Sequence, residues 1–260
     1  EIMSSDWSSD VCSSDLEAAW SIINDVRDAA GVEGGLRVKS RNRGIKSGSS
    51  DSGAAALVIA LNEFYGLGLE VQDKCSLACK VSETAYRSII GGLSVHEKTG
   101  EGLGEYQLLG AEELSGLAVY AIDFPGERLP AEDIHLAAAG HPEYVNSSVV
   151  AGENLTRLKK ACGLGDLTGL LEVMQADAER AHSLFKKAGV EVITEDMRRL
   201  CDAVGKEGDF PVYWNVAGAR TVYVFTTGEF QADARRLLEE LNLNYARLKV
   251  AGPAFTKYVG

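Results

Sequence analysis

Two groups of residues in this chain have the types and spacing to do chemistry. The first is Gly44-Ile45-Lys46-Ser47-Gly48-Ser49-Ser50-Asp51-Ser52-Gly53-Ala54-Ala55-Ala56, with three glycines and four serines in its first ten residues. It runs directly into Leu57, Val58, Ala60, Leu61 and Phe64, which recur at helical spacing, so a small-residue loop opens a helix. A helix start carries unpaired N–H groups and the positive end of the helix dipole, and glycines let backbone approach an anion closely. That chemistry suits phosphate; an ordinary capped loop before a core helix has the same composition. A basic run, Lys39, Arg41, Arg43 and Lys46, leads into the loop and suits either a phosphate or a solvated face. The second group is Glu83 and Arg87, four apart in a helix read from about Cys75 to Ile90. They form either a surface ion pair or a carboxylate and a guanidinium projecting together into a cleft.

The remaining polar residues point to no chemistry of their own. Cys12, Cys75, Cys79, Cys162 and Cys201 are odd in number and scattered, without the second Cys/His pair of a zinc site, so they read as reduced thiols and the chain carries no metal centre of its own. His135 and His141 lack ligand spacing, and His182 falls beside Ala181 on a helix as a packed histidine. Asp51 is out of place in a phosphate loop; capping the helix would turn its charge away.

The elements that must position these residues follow from periodicity. A helix is expected over Glu17–Ala30 and a short strand over 36–39, then the loop with its helix, ending at Gly66-Leu67-Gly68. Gly91-Gly92 stops the helix that carries Glu83 and Arg87. Strands are expected over 93–97, 105–108 and 117–122, with a turn-rich Asp123–Pro130 connection before a helix near Pro130. The second half reads as helices over 154–162 and 166–187, a helix capped by Thr194, strands over 211–216 and 221–227, a helix over 229–241 and a strand over 245–250. Helices followed by β-β-α-β predict an antiparallel sheet covered by helices, an α+β lobe.

At 260 residues the chain can bury one large core or two. Its formal charge of -12 excludes a broad nucleic-acid or anionic-membrane surface, though not a small phosphorylated ligand. No apolar run reaches membrane-spanning length and no secretory leader is visible, which points to a cytoplasmic protein. Ser-Ser-Asp occurs three times in the first fifteen residues with no helix or strand period. Val11–Leu16 there resembles the translation of a sequencing-adapter end, so residues 1–15 are expected to be an artefactual or disordered tail.

With these pieces laid out, the chain resembles the GHMP-kinase superfamily, its mevalonate diphosphate decarboxylase branch, and within it the mevalonate 3-kinases of acidophilic archaea. GIKSGSSDSGAAA stands where the family has its phosphate loop, and VSETAYRSIIGGLSV where decarboxylases have Ser-Ala-Cys-Arg-Ser and Gly-Gly. GVEVITEDMRRL and YWNVAGARTVYVF also resemble the mevalonate 3-kinase pattern. The resemblance implies a two-lobed α+β, GHMP-kinase-like fold with its amino-terminal lobe truncated: a partial nucleotide-binding lobe over 16–130 and a carboxy-terminal lobe over 131–260. It implies Gly48, Ser49, Ser50, Ser52 and Gly53 on the phosphates of ATP with Mg²⁺, and Arg87 as the catalytic arginine. It further implies Glu83, Arg128 and Ala217 at the substrate, mevalonate or a phosphomevalonate, and a homodimer.

Ala217 stands where decarboxylases carry aspartate and the kinase carries threonine, which speaks against ATP-dependent decarboxylation. Glu83 would repel a 5-phosphate and tolerate a hydroxyl. The implied activity is therefore phosphorylation of the 3-hydroxyl of mevalonate. Decarboxylation of mevalonate 3,5-bisphosphate is the alternative, and a non-catalytic binding module stands as a third.

Overall fold

The computed structural model describes residues 13–32, 36, 38, 48–99, 102–126, 129, 131–217 and 220–255. The strand expected over 36–39 and the basic run Lys39–Lys46 lie almost wholly outside these residues. The described elements form two compact units, Glu1–Ala111 with Ala251–Gly260, and Glu112–Val250.

The first unit is built on helix periodicity. Helix α1 (Ser13–Ala30) buries Ala19, Ile22, Ile23 and Val26, and α2 (Ser49–Tyr65) buries Ala54, Ala55, Leu57, Val58 and Leu61. Each set recurs at three- and four-residue spacing, so each helix turns one apolar face to a shared core. Helix α1 runs from Ser13, the first described residue, inside the segment expected as a tail. Helices α3 (Val71–Cys79) and α4 (Tyr86–Ile90) add Cys75, Ala78, Ala85, Tyr86, Ile89 and Ile90 to that core. Strands β1 (Leu93–Thr99) and β2 (Gly102–Leu109) pair antiparallel beside them.

The single helix expected from Cys75 to Ile90 is two helices, broken over residues 80–85. Ser82 and Thr84 turn their hydroxyls to a distant carboxylate, and such local polar side chains compete with helix propagation. Glu83 thus lies in a turn and Arg87 in α4, so the shared helix face that their spacing suggests does not exist.

The second unit is a four-stranded antiparallel sheet, in the order β4 (Val212–Ala217), β5 (Thr221–Thr227), β3 (Leu117–Asp123), β6 (Ala246–Leu248). Strand β3 is bonded on both edges, with Tyr120 opposite Val224 and Arg247, and its five central residues are buried. That double pairing commits β3 to the second unit, and the compact units divide at 111/112. Helices α5 (Ala131–Ala139), α6 (Tyr144–Leu164), α7 (Leu167–Lys187), α8 (Glu195–Lys206) and α9 (Gln231–Glu240) complete the unit. Thr194 caps α8 as expected, accepting from Met197 N, and Met197, Leu200, Cys201 and Val204 are buried. Helix α6 begins ten residues before the expected start. Ser148 and Thr156 bond back to carbonyls four residues earlier and exposed Val145 and Val149 blur its period.

Among the described residues no helix is long and apolar enough to cross a membrane.

Candidate functional site

Helix α2 opens at Gly48, which sits in the left-handed region (φ 74°, ψ 12°) and accepts the first helical bond from Ser52 N at 3.0 Å. Among the described residues no side chain caps this end, and none comes within 4 Å of a Cβ built on Gly48. The positive end of a 17-residue helix therefore stands uncapped by them at a residue with no side chain. Ser50 is half-buried in the first turn, Ser52 is exposed and Gly53 half-buried one turn on. These residues follow one another through the first turns of α2; the side chain of Ser49 and the loop upstream of Gly48 fall outside the described residues.

Asp51 does not cap the helix. Its carboxylate turns to the break between α3 and α4, where Ser82 Oγ donates to Oδ1 at 2.5 Å and Thr84 Oγ1 lies 2.9 Å from both oxygens. Arg87 Nη2 stands 3.3 Å from Oδ2, and Arg87 Nε donates to the Thr84 carbonyl at 3.3 Å. The Asp51 side chain is 14% exposed and that of Arg87 56%, so a mostly buried anion is satisfied by two hydroxyls and shares a half-solvated guanidinium. The hydroxyl bonds to an ionised acceptor hold it most firmly, and the exposed ion pair adds little. Glu83, on the same turn, is exposed.

Behind α4 the chain makes a close crossing. Gly91 (φ 72°, ψ −179°) and Gly92 (φ 60°) admit the segment from Ala251, whose carbonyl accepts from Gly92 N at 2.9 Å, while Ala254 N donates to Ser88 O at 3.1 Å. A Cβ on Gly91 would lie 2.3 Å from the carbonyl carbon of Gly252, and one on Gly92 would lie 2.2 Å from Leu109 O. The glycine pair does more than end a helix: it lets a second stretch of backbone lie against the turn that carries Arg87.

In the second unit, Ala217 ends β4 opposite Thr221, half-buried, and offers a methyl group where an acid or hydroxyl would carry chemistry. Arg128 lies outside the described residues. Beside Ala217, fully buried Thr221 donates to Asp123 Oδ1 at 2.6 Å, and Arg220, at φ 57°, accepts from Phe124 N through its carbonyl. This Asp123–Thr221 pair, like the part played by Ser82 and Thr84, was not read from the sequence. The signal that was present is a pair of hydroxyl residues two apart, three and five residues before an arginine.

No group of three or more His, Cys, Asp or Glu among the described residues could hold a metal ion. The four described cysteines are free thiols; burial pushes Cys75 and Cys201 up to about 12, which keeps both protonated and unreactive. His182 packs edge-on to Phe185 with Nδ1 buried and unpartnered, and burial depresses its pKa, so it is a half-buried, packed histidine.

Two family models match in tandem: the diphosphomevalonate decarboxylase-like N-terminal domain over residues 8–106, and the mevalonate-3-kinase C-terminal domain over residues 129–231. The mevalonate-3-kinase of Picrophilus torridus is 28% identical over 223 residues, 85% of this chain and 68% of that protein. The mevalonate 3-kinase of Thermoplasma acidophilum is 33% identical over 198 residues, 73% of this chain, and the match spans 60% of that protein's length. Its crystal structure with mevalonate 3-phosphate and ADP has a TM-score of 0.83 at 27% identity, covering 93% of this chain and 77% of that one. A mevalonate diphosphate decarboxylase from Staphylococcus aureus has the same fold, with a TM-score of 0.82 at 21% identity, covering 94% and 78%. The chain belongs to the diphosphomevalonate decarboxylase and mevalonate 3-kinase branch of the GHMP-kinase superfamily.

Proposed function

We propose that this chain transfers the γ-phosphoryl group of ATP to the 3-hydroxyl of mevalonate. The observation that carries the reading is its likeness, through both units, to a relative whose structure holds mevalonate 3-phosphate and ADP. The open, uncapped start of α2 fits nucleotide phosphates, with Gly48, Ser49 and Ser50 at the anion and Ser52 and Gly53 in the turn behind. The negative charge of Asp51 is held on the other side by Ser82, Thr84 and Arg87, so it does not oppose a phosphate there. Mg²⁺ would ride on the phosphates, as it commonly does with one or two carboxylates in support, and when bound it neutralises charge between the β- and γ-oxygens.

Phosphoryl transfer leaves the protein mainly to position and stabilise charge. Arg87, anchored on one side by Asp51 and half-exposed on the other, presents N–H groups to the substrate carboxylate or the phosphoryl group in flight. In the same reading Glu83 and Arg128 bind mevalonate, and Ala217 lines the site without a carboxylate, which favours transfer without decarboxylation. A cytoplasmic setting and a homodimer complete the reading.

The test is to incubate the chain with Mg-ATP and mevalonate and follow ADP and mevalonate 3-phosphate together. Both should appear in equal amounts, and Arg87→Ala should lower kcat/KM by roughly 100-fold, the scale of one lost charge-assisted contact in the transition state. Absence of both products, with carbon dioxide released from mevalonate 3,5-bisphosphate without ATP, would replace the kinase with a lyase.

A further inference from the structure

We propose that Arg220 is a positioning residue: it latches the connection after β3, which runs on to Arg128, to the connection after β4, which starts from Ala217. The inference rests on the kinase reading for the part that Ala217 and Arg128 play at the substrate, but the latch stands on geometry. Among the described residues only Arg220 and Asn242 have a positive φ without being glycine, 57° and 54°. Asn242 follows the end of α9, a place and a residue type where chains commonly adopt that conformation. Arg220 instead stands directly before β5, and there an arginine Cβ crowds the neighbouring carbonyl. Such a conformation persists where the surroundings over-determine it.

The surroundings that hold it are all on the connection after β3. The Arg220 carbonyl accepts from Phe124 N at 2.9 Å. The next residue, fully buried Thr221, donates its hydroxyl to Asp123 Oδ1 at 2.6 Å. The guanidinium end of Arg220 lies over Gly126, where a Cβ would come 2.9 Å from Nε and 3.0 Å from Cζ, so a residue without a side chain gives it its seat. Asp123 and Thr221 are the last paired residues of the β3–β5 ladder, and Arg220 carries the pairing beyond it into both connections. Ala217 lies three residues before Arg220, and Arg128 two residues after Gly126. Glycine or asparagine would hold the same backbone with less strain, so what arginine adds is its side chain on Gly126. Arg220 therefore fixes the spacing between the two stretches that the kinase reading assigns to mevalonate.

The experiment uses the 260-residue chain with Arg220→Gly, Arg220→Asn and Gly126→Ala. The first two remove the guanidinium and leave a residue at ease at positive φ; the third puts a methyl group in its seat. In Arg220→Gly the urea midpoint should stay level or rise as the strain is released, while amide exchange at Phe124 quickens about tenfold or more. In all three, kcat/KM for mevalonate should fall about tenfold through KM, with the KM for ATP unchanged. A merely structural Arg220 would lower the urea midpoint and leave the mevalonate KM where it is, and that result overturns the assignment. Unchanged exchange at Phe124 overturns it too, as does an active variant with quickened exchange and the wild-type mevalonate KM. If the wild type turns over no mevalonate while exchange at Phe124 quickens at undiminished stability, the kinase reading falls and the latch stands.

Discussion

Replacing Gly91 by alanine tests whether the close crossing behind α4 is as tight as its geometry requires. Gly66 provides the reference. It too has a positive φ, 62°, but a Cβ there meets nothing within 4 Å, so Gly66→Ala should cost only the backbone penalty, about 1 kcal/mol. At Gly91 the backbone lies at φ 72°, ψ −179°, a region reached essentially only by glycine, with a penalty of about 1–3 kcal/mol. The new Cβ would also stand 2.3 Å from Gly252 C and 2.4 Å from Pro253 N, so two stretches of backbone must part by roughly an ångström to restore ordinary van der Waals contact near 3.5 Å. The Gly92 N–H to Ala251 and Ala254 N–H to Ser88 bonds would be weakened with them, each worth about 1 kcal/mol. The sum for Gly91→Ala is about 3–5 kcal/mol, at least 2 kcal/mol beyond Gly66→Ala. Urea unfolding of both variants gives the difference, and amide exchange at Gly92 and Ala254 localises it. If the two variants lie within about 0.5 kcal/mol of each other, the tight approach is not real.

Two further outcomes follow from the second unit. Met197 is fully buried and Leu164 is 71% exposed, so Met197→Ala should cost about 2–5 kcal/mol in urea unfolding while Leu164→Ala changes little; equal effects would remove α8 from the core. His182 has its pKa depressed by burial, so the unfolded chain binds the proton first as pH falls below about 6.5, and the stability His182 contributes is complete above that value and lost beneath it. Between pH 6.5 and 5.5 the wild type should lose stability relative to His182→Leu, by at most about 1 kcal/mol, and parallel losses in the two would refute the burial of the neutral imidazole.

The parts of the fold that were legible are those where one local rule decides. Thr194 before Met197, Leu200, Cys201 and Val204 states both the cap and the buried face of α8, and β5 runs over Thr221–Thr227 as its alternation predicts. The Ser/Gly-rich loop likewise signals that a helix opens there, and α2 begins within it at Ser49. What stayed hidden depends on partners distant in sequence. The break at 80–85 is made by hydroxyls reaching 31 and 33 residues back to Asp51, and no window along the chain contains both ends of that interaction. The same separation explains why Asp51 reads as a cap in sequence and is an anchor in space, and why Glu83 and Arg87 do not share a helix. The Asp123–Thr221 pair spans 98 residues and leaves no local trace at all.

The return of the chain at Ala251 has a consequence for biosynthesis. The second unit, Glu112–Val250, is one contiguous stretch, whereas the first needs residues from both sides of it. The second unit can therefore close on its own, whereas the first must keep the groove behind α4 open, with Gly91 and Gly92 uncovered, until Ala251 and Ala254 arrive. The turn that holds Arg87 is thus finished late in synthesis. A chain cut before Ala251 would keep every residue of the second unit and leave the first without this backing.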